Sequence, residues 1–389
     1  MKQDHPSDIV ISGIGQIPAG EHWDLSLRQL GTAALKLALK DAGGPKPQAL
    51  YVANMLSMNL SNQAHLATLI ADAADLTGIE ALTIEAGAAS GGAAIRQAYL
   101  AVKSGYVDCA LVLGVEKFSD KVGAELEEAL ATNLDGDFES IQGLTPAAQA
   151  ALIMKRYMIE NDVPPDDFAG FALNAHHNGA SNKFAMFQKA ISKETYHRAE
   201  MVSDPLNMFD IAPPADGAAA VLITRRELVD AALDRPLVRI SGSALSTDTL
   251  SLHDRVDPLE FKSAAHSAIK ALAMAGIPNS EIDFFELHDQ YSIFSALALE
   301  SAGFAPKGQG WKLAQDGSIG LSGVIPIGTF GGLKACGFTG GASGVYQAVE
   351  AVLQLRGLAG KCQVADARHG MIQSMGGPAS TTVTHILSK

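Results

Sequence analysis

Thr83-Ile84-Glu85-Ala86-Gly87-Ala88-Ala89-Ser90-Gly91-Gly92 is the stretch on which the reading of this chain turns. A strand-like run enters a set of small residues, and an Ala-rich helical stretch follows from Ala93 to Val102. That is the layout of a sharp strand-to-helix turn. It puts one side chain at the positive end of a helix, where a thiol is acidified and an oxyanion is stabilised. The residue there is Ala88, whose methyl group can do neither. The scaffold of a covalent enzyme is present while its attacking atom is absent. The start of the helix, at Ala88, Ser90 and Gly91, keeps backbone N–H groups that can hold an oxyanion. Ser90 itself reads as a helix cap before anything catalytic.

Outward from this turn, the chain reads as two copies of one unit. Ala-rich helical stretches alternate with short β-branched strands, which predicts an α/β fold with crossover helices. The helix Ala33 to Gly43 is followed by a strand at Ala49 to Ala53, and the helix Ser267 to Gly276 by a strand at Ile282 to Leu287. Ala89-Ser90-Gly91 opens a helix ending near Gly105, and Ala342-Ser343-Gly344 opens one ending near Gly357. Strands are expected after each, at Cys109 to Val115 and at Cys362 to Ala365. The two Ala-rich helices are apolar all round, as helices buried on both sides must be. The boundary falls at 240/241, giving halves 1–240 and 241–389. Residues about 119–210 form an insertion in the first half. Its acidic segment from Gly123 to Ser140 reads as a solvated face, and His176 and His177 read as a solvated helix face.

The 389 residues are 47% hydrophobic and 18% charged, enough for one large domain or two fused ones. A net charge of −13 argues against nucleic-acid binding. The N-terminal stretch has no apolar h-region and no apolar run reaches about 18 residues, so neither a signal peptide nor a membrane span is expected. Cys109, Cys336 and Cys362 have neither metal spacing nor a disulfide framework, which points to a reducing cytoplasm and no metal.

Six segments in order resemble the thiolase superfamily, in particular the archaeal-type and sterol-carrier-protein-type acetyl-CoA acetyltransferases. Glu85 to Gly92 resembles E-A-x-C-A-S-G-G, and Gly114-Val115-Glu116-Lys117 resembles G-x-E-K. Pro214 to Ala220 resembles the S-D-G-A-A-A strand, and Glu286-Leu287-His288-Asp289 resembles E-x-H-D. Gly331 to Ala335 with Gly337 resembles G-G-x-K-A-x-G-H-P, and Gly376-Gly377 resembles the C-terminal G-G turn. The resemblance implies a five-layered αβαβα fold of duplicated halves, a homodimer, and an acyl-CoA site covered by a loop domain. It implies no covalently bound cofactor, with a CoA thioester as substrate or ligand. A small OB-fold/zinc-ribbon protein is an implied partner.

The chemistry carries over less well than the fold. Ala88 stands where the resemblance puts the cysteine nucleophile, Phe338 replaces the activating histidine, and Gln290 replaces a further cysteine. Losing the nucleophile of a covalent enzyme costs about 10⁶ in rate, so a route through an acyl-cysteine needs another thiol. Cys336 is the one candidate, and a lone cysteine is more often core packing. What remains is retro-aldol C–C cleavage or formation on an acyl-CoA. In that reading His288 donates to the thioester oxygen, Tyr291 or Asp289 transfers protons, and Ala88, Ser90, Gly91 and Gly377 line the oxyanion and substrate site. Two alternatives stand beside it: a non-catalytic CoA-ester-binding or scaffold subunit, and an acetyl-CoA acetyltransferase with an unrecognised nucleophile. Ser374 is expected to make a hydrogen bond only, and Asp216 to fix a turn.

Overall fold

Two β-α-β units of the same order build the molecule. The computed structural model describes residues 8–230 and 232–389. Residues 1–7, part of the N-terminal stretch read above, lie outside it. The first unit runs β1 (Ile9–Gln16), α1 (Leu27–Asp41), β2 (Ala49–Ala53), and continues through α2 (Leu66–Ala73), β3 (Glu80–Ile84), α3 (Ser90–Lys103), β4 (Cys109–Glu116) and β5 (Gly217–Arg225). The second runs β6 (Val238–Thr247), α5 (Lys262–Ala275), β7 (Phe284–Glu286), α6 (Ser292–Ser301), α7 (Gly332–Cys336), α8 (Ser343–Arg356), β8 (His369–Gly376) and β9 (Thr381–Ser388). Between β4 and β5 lies the insertion, whose longest helix is α4 (Pro146–Asn161).

The strand order β3-β2-β4-β5-β1-β6-β9-β8-β7 makes the duplication explicit. Read from each edge, β2-β4-β5-β1 and β7-β8-β9-β6 follow one pattern: a parallel pair, then two antiparallel steps. β3 is an addition to the first half. The halves join where β1 meets β6, at Val10↔Arg239 and Ile11↔Val238.

Strands buried on both faces alternate between two apolar sets rather than between apolar and polar. Leu111 and Leu222 face α1 and α2 with Leu30 and Ile70. Val112, Val221 and Ile372 face the central helices with Ile95 and Val349. On the far side, Phe285 and Ile386 pack on α5, α6 and α4 with Ala268, Leu297 and Met154. Helix, sheet, helix, sheet, helix is the layering that results, as expected. In the middle layer α3 and α8 touch backbone to backbone, since a Cβ on Gly91 would lie 2.9 Å from Gly344 Cα.

Several local expectations are corrected. Helix α1 starts at Leu27 rather than Ala33, because Ser26 and Gln29 form a capping box. The strand expected at Cys362 to Ala365 is absent; Gly360–Cys362 is a 3₁₀ turn and β8 begins at His369. His176 is buried between the rings of Phe187 and Phe209, and only His177 is solvated. The acidic segment is two-sided: Glu125, Glu127 and Glu128 face water, but Leu130, Leu134 and Glu139 are buried. Asp216 does more than fix a turn. It is a buried anion accepting from His22 N (2.9 Å), Ser119 N (2.8 Å) and Ser119 Oγ (2.6 Å), with Lys117 Nζ at 3.4 Å.

Candidate functional site

The turn between β3 and α3 forms as its small residues require. Gly87 takes φ +57°, which only glycine adopts freely. The hydroxyl of Ser90 accepts from Ala86 N at 2.9 Å and donates to Gly87 O at 2.5 Å. Ser90 is therefore a clamp inside the turn and not the helix cap; that position is Ala89, which has no side-chain bond to offer. The N–H groups of Ala89 and Ser90 are used on Ala86 O and Gly87 O. Gly91 is buried against α8. Neither Ser90 nor Gly91, both expected at the oxyanion site, lines the cavity that Ala88 and Gly377 face in common.

That cavity is a chamber of about 30 Å³ whose lining includes Ala88, Asn133, Gln149, Gln290, Tyr291 and Phe338, together with Gly377 and Pro378. Its apolar wall is one continuous cluster: Ala88, Phe338, Phe118, Leu130, Ala212 and Leu333 pack together. The Ala88 methyl group and the Phe338 ring are both core. Phe338 lies against Phe118 at 5.8 Å between ring centroids and edge-on to His288 at 6.0 Å.

The loop after β7 carries the three candidate catalytic residues, and the structure separates them. His288 is fully buried behind Phe338 and does not line the chamber. Its Nε2 lies 3.5 Å from Gln290 Oε1, and Gln290 Nε2 lies 3.5 Å from the Tyr291 hydroxyl. Burial pushes the imidazole down from 6.5 to about 4, so it is neutral at pH 7. Its Nδ1 has no partner among the described residues. Asp289 also turns away from the chamber. Its Oδ1 accepts from Leu333 N at 2.6 Å, and its carboxylate faces Lys334, a fully buried lysine that donates to Asp210 O at 2.6 Å. Burial pushes Lys334 down to about 8, opposed by Asp289 and Asp210. Asp289, expected to transfer protons, holds the loop to α7 and lies outside the chamber. Tyr291 does reach the chamber, and burial raises its phenol well above 10, so it stays protonated.

Cys336, the fallback nucleophile, lines a different cavity of about 20 Å³ with Glu286 and Glu350. Its sulfur lies 3.4 Å from Phe330 O, and burial, then the Glu350 charge, hold the thiol well above its usual pKa. Ser374 donates to Gln347 Oε1 at 3.1 Å, the hydrogen-bond role expected. Asn133 and Gln149 are the polar lining residues that sequence reasoning missed. Asn133 lies within the acidic segment and Gln149 on α4, and only their facing inward marks them. Among the described residues no group of three or more His, Cys, Asp or Glu is placed to hold a metal ion, and no helix is long and apolar enough to cross a membrane.

The same architecture is found in known proteins. Residues 9–227 match the thiolase N-terminal domain and residues 244–389 the thiolase C-terminal domain-like family, so the chain belongs to the thiolase family. It is 39% identical to an acetyl-CoA acetyltransferase of Methanothermobacter thermautotrophicus, over 98% of this chain and 100% of that one. Its fold is similar to that of a solved Ltp2-ChsH2(DUF35) aldolase, with TM-score 0.83, 22% identity and 98% of both chains covered. It also resembles the Acat5 thiolase from Ascaris suum, solved in complex with coenzyme A, with TM-score 0.73, 18% identity and 98% and 100% coverage.

Proposed function

We propose that this thiolase-family protein acts on acyl-CoA thioesters in C–C bond chemistry of the retro-aldol type, without an acyl-cysteine. The observation that carries the reading is the lining of the chamber. Ala88 stands at the turn, and among the described residues Tyr291 is the one titratable group on the wall. A β-hydroxyacyl thioester placed there needs one net proton movement. In one concerted step the Cα–Cβ bond breaks, the Tyr291 phenol gives its proton to the α-carbon and its oxygen takes the β-hydroxyl proton, so the phenol ends as it began. The products are a carbonyl compound and a shortened acyl-CoA. The thioester oxygen, assigned above to His288, goes instead to Gln290 Nε2 and to the backbone at Ala88 and Gly377. His288, neutral and dry, positions Gln290.

The second reading, a non-catalytic CoA-ester-binding or scaffold subunit, draws on the chamber's small volume and on the burial of His288. We take the chain as two halves that part between β5 and β6, a few residues before the expected 240/241, and the cytoplasm as the compartment because all three cysteines are free. A homodimer through β3 is supported by its position at the sheet edge and its half-exposed Leu82. A second partner of the OB-fold/zinc-ribbon kind is supported by the two-component name of the solved aldolase. The test is incubation with a panel of β-hydroxyacyl-CoA and β-ketoacyl-CoA esters, with and without that partner. Release of an aldehyde or ketone, lowered at least a hundredfold in Tyr291→Phe with ester binding intact, is the expected result. Tight ester binding with no turnover would select the scaffold, and acetyl transfer to CoA would overturn both.

A further inference from the structure

The chamber is too small for an acyl group. At about 30 Å³ it holds roughly one water molecule. A thioester that reaches it must therefore keep its body elsewhere. One surface groove shares a wall with the chamber. It measures about 850 Å³, within the range of about 300–1,000 Å³ usual for small-molecule pockets, and is lined by Phe138, Leu144, Leu152, Leu252 and Pro258.

The two adjoin. On α4, Ala148 faces the groove and the next residue, Gln149, faces the chamber. Glu139, on the groove side, accepts from Gln149 Nε2 at 3.2 Å. Arg255, also on the groove side, donates to the carbonyl of Pro378, on the chamber side, at 2.6 Å. Both contacts are side-chain hydrogen bonds across the partition. The lining is a poor match for a nucleotide. Arg156 is paired with Glu160, Arg255 is spent on the carbonyls of Thr249 and Pro378, and Glu139 adds a carboxylate. It is a good match for hydrocarbon: Phe138 and Leu152 are 66% and 57% exposed, a cost to the free protein that an apolar ligand would remove.

We propose that this groove binds the apolar acyl group of the thioester, and that the acyl groups accepted are much larger than acetyl, passing the Glu139–Gln149 partition to present the reacting carbons at Tyr291. The proposal rests on the thioester reading above and adds the substrate class to it. Burying each methylene strengthens binding about fourfold. Isothermal titration of the full chain should therefore show octanoyl-CoA binding at least a hundredfold tighter than acetyl-CoA. Leu152→Trp, which fills the groove from an exposed position, should shrink that gap at least tenfold while leaving acetyl-CoA within twofold. Ile159→Trp, on the same helix, 76% exposed and outside the groove, should leave the gap intact. Leu144→Trp serves if the first variant loses its circular dichroism spectrum. Equal affinity for the two esters in the wild type, or a gap unchanged in the folded groove variant, would overturn the assignment. Failure of the wild type to bind any CoA ester would instead overturn the thioester reading itself.

Discussion

His288→Gln should flatten the acid side of the stability profile. The imidazole is fully buried with its Nδ1 unpartnered, and its pKa is pushed down to about 4 from a usual 6.5. The sign follows from proton counting. Between pH 6.5 and 4 the unfolded chain takes up a proton at this site that the native one refuses, so stability falls as pH falls. Each pH unit in that window is worth about 1.4 kcal/mol, so by pH 5 the site has cost the native state about 2 kcal/mol relative to pH 7.5. Glutamine keeps a polar group near Gln290 but does not titrate. Urea denaturation followed by circular dichroism at pH 7.5 and 5.0 gives the double difference. His385, also pushed down to about 4, and Glu286, pushed up to about 7, titrate in both proteins and cancel. The gap between wild type and variant should change by about 2 kcal/mol in the variant's favour on going to pH 5.0. Parallel profiles would refute the reasoning, because they would mean that His288 is solvated in the native state or already charged there. The outcome bears on function as well: an imidazole neutral across the physiological range cannot act as an imidazolium acid.

Ala88→Cys alone should form no acetyl adduct detectable by mass spectrometry after exposure to acetyl-CoA, because its thiol would enter the apolar cluster around Phe338 with no base beside it. Adding Phe338→His should speed acylation about a hundredfold, the contribution of a positioned base, and equal labelling of the two variants would contradict the geometry. Gly91→Ala drives a methyl to 2.8 Å from Val345 N in the middle layer, where neither helix can retreat; a loss of about 1–3 kcal/mol in urea denaturation is expected, and wild-type stability would show the α3–α8 contact to be looser than described.

Much of the fold was legible because repetition is a global signal. The paired helices that open at Ser90 and Ser343 both exist, and the matching strand orders of the halves account for the echoes. Local signals were weaker. The helix at Leu27 was read six residues late because a capping box of Ser and Gln carries little hydrophobic pattern, and Cys362 to Ala365 was read as a strand because an apolar tetrapeptide has no period of its own. At the site, residue types were legible and directions were not. The sequence places His288, Asp289, Gln290 and Tyr291 side by side, but consecutive side chains cannot all face one cavity. His288 points behind Phe338, Asp289 toward α7, and Gln290 and Tyr291 inward. Asn133 and Gln149 reach the same cavity from a distant insertion, a contact that no local pattern encodes.

The lining of the chamber bears on whether the site has simply decayed. A site freed from function would be expected to close with apolar residues, as it has on the side of Ala88 and Phe338, since a polar group facing a dry void costs about 1–3 kcal/mol. The opposite wall does not follow that course. Asn133, Gln149, Gln290 and Tyr291 converge from three separate stretches of chain on a space the size of one oxygen-bearing molecule. Gln290 is anchored only by contacts of 3.5 Å, at the weak limit of hydrogen bonding. A side chain held this loosely has hydrogen-bonding capacity left for one further oxygen, and under the proposed function that oxygen is the thioester carbonyl or the β-hydroxyl. One wall is apolar and the other carries four polar side chains, and that asymmetry is what the proposed non-covalent thioester chemistry needs and a purely structural core does not.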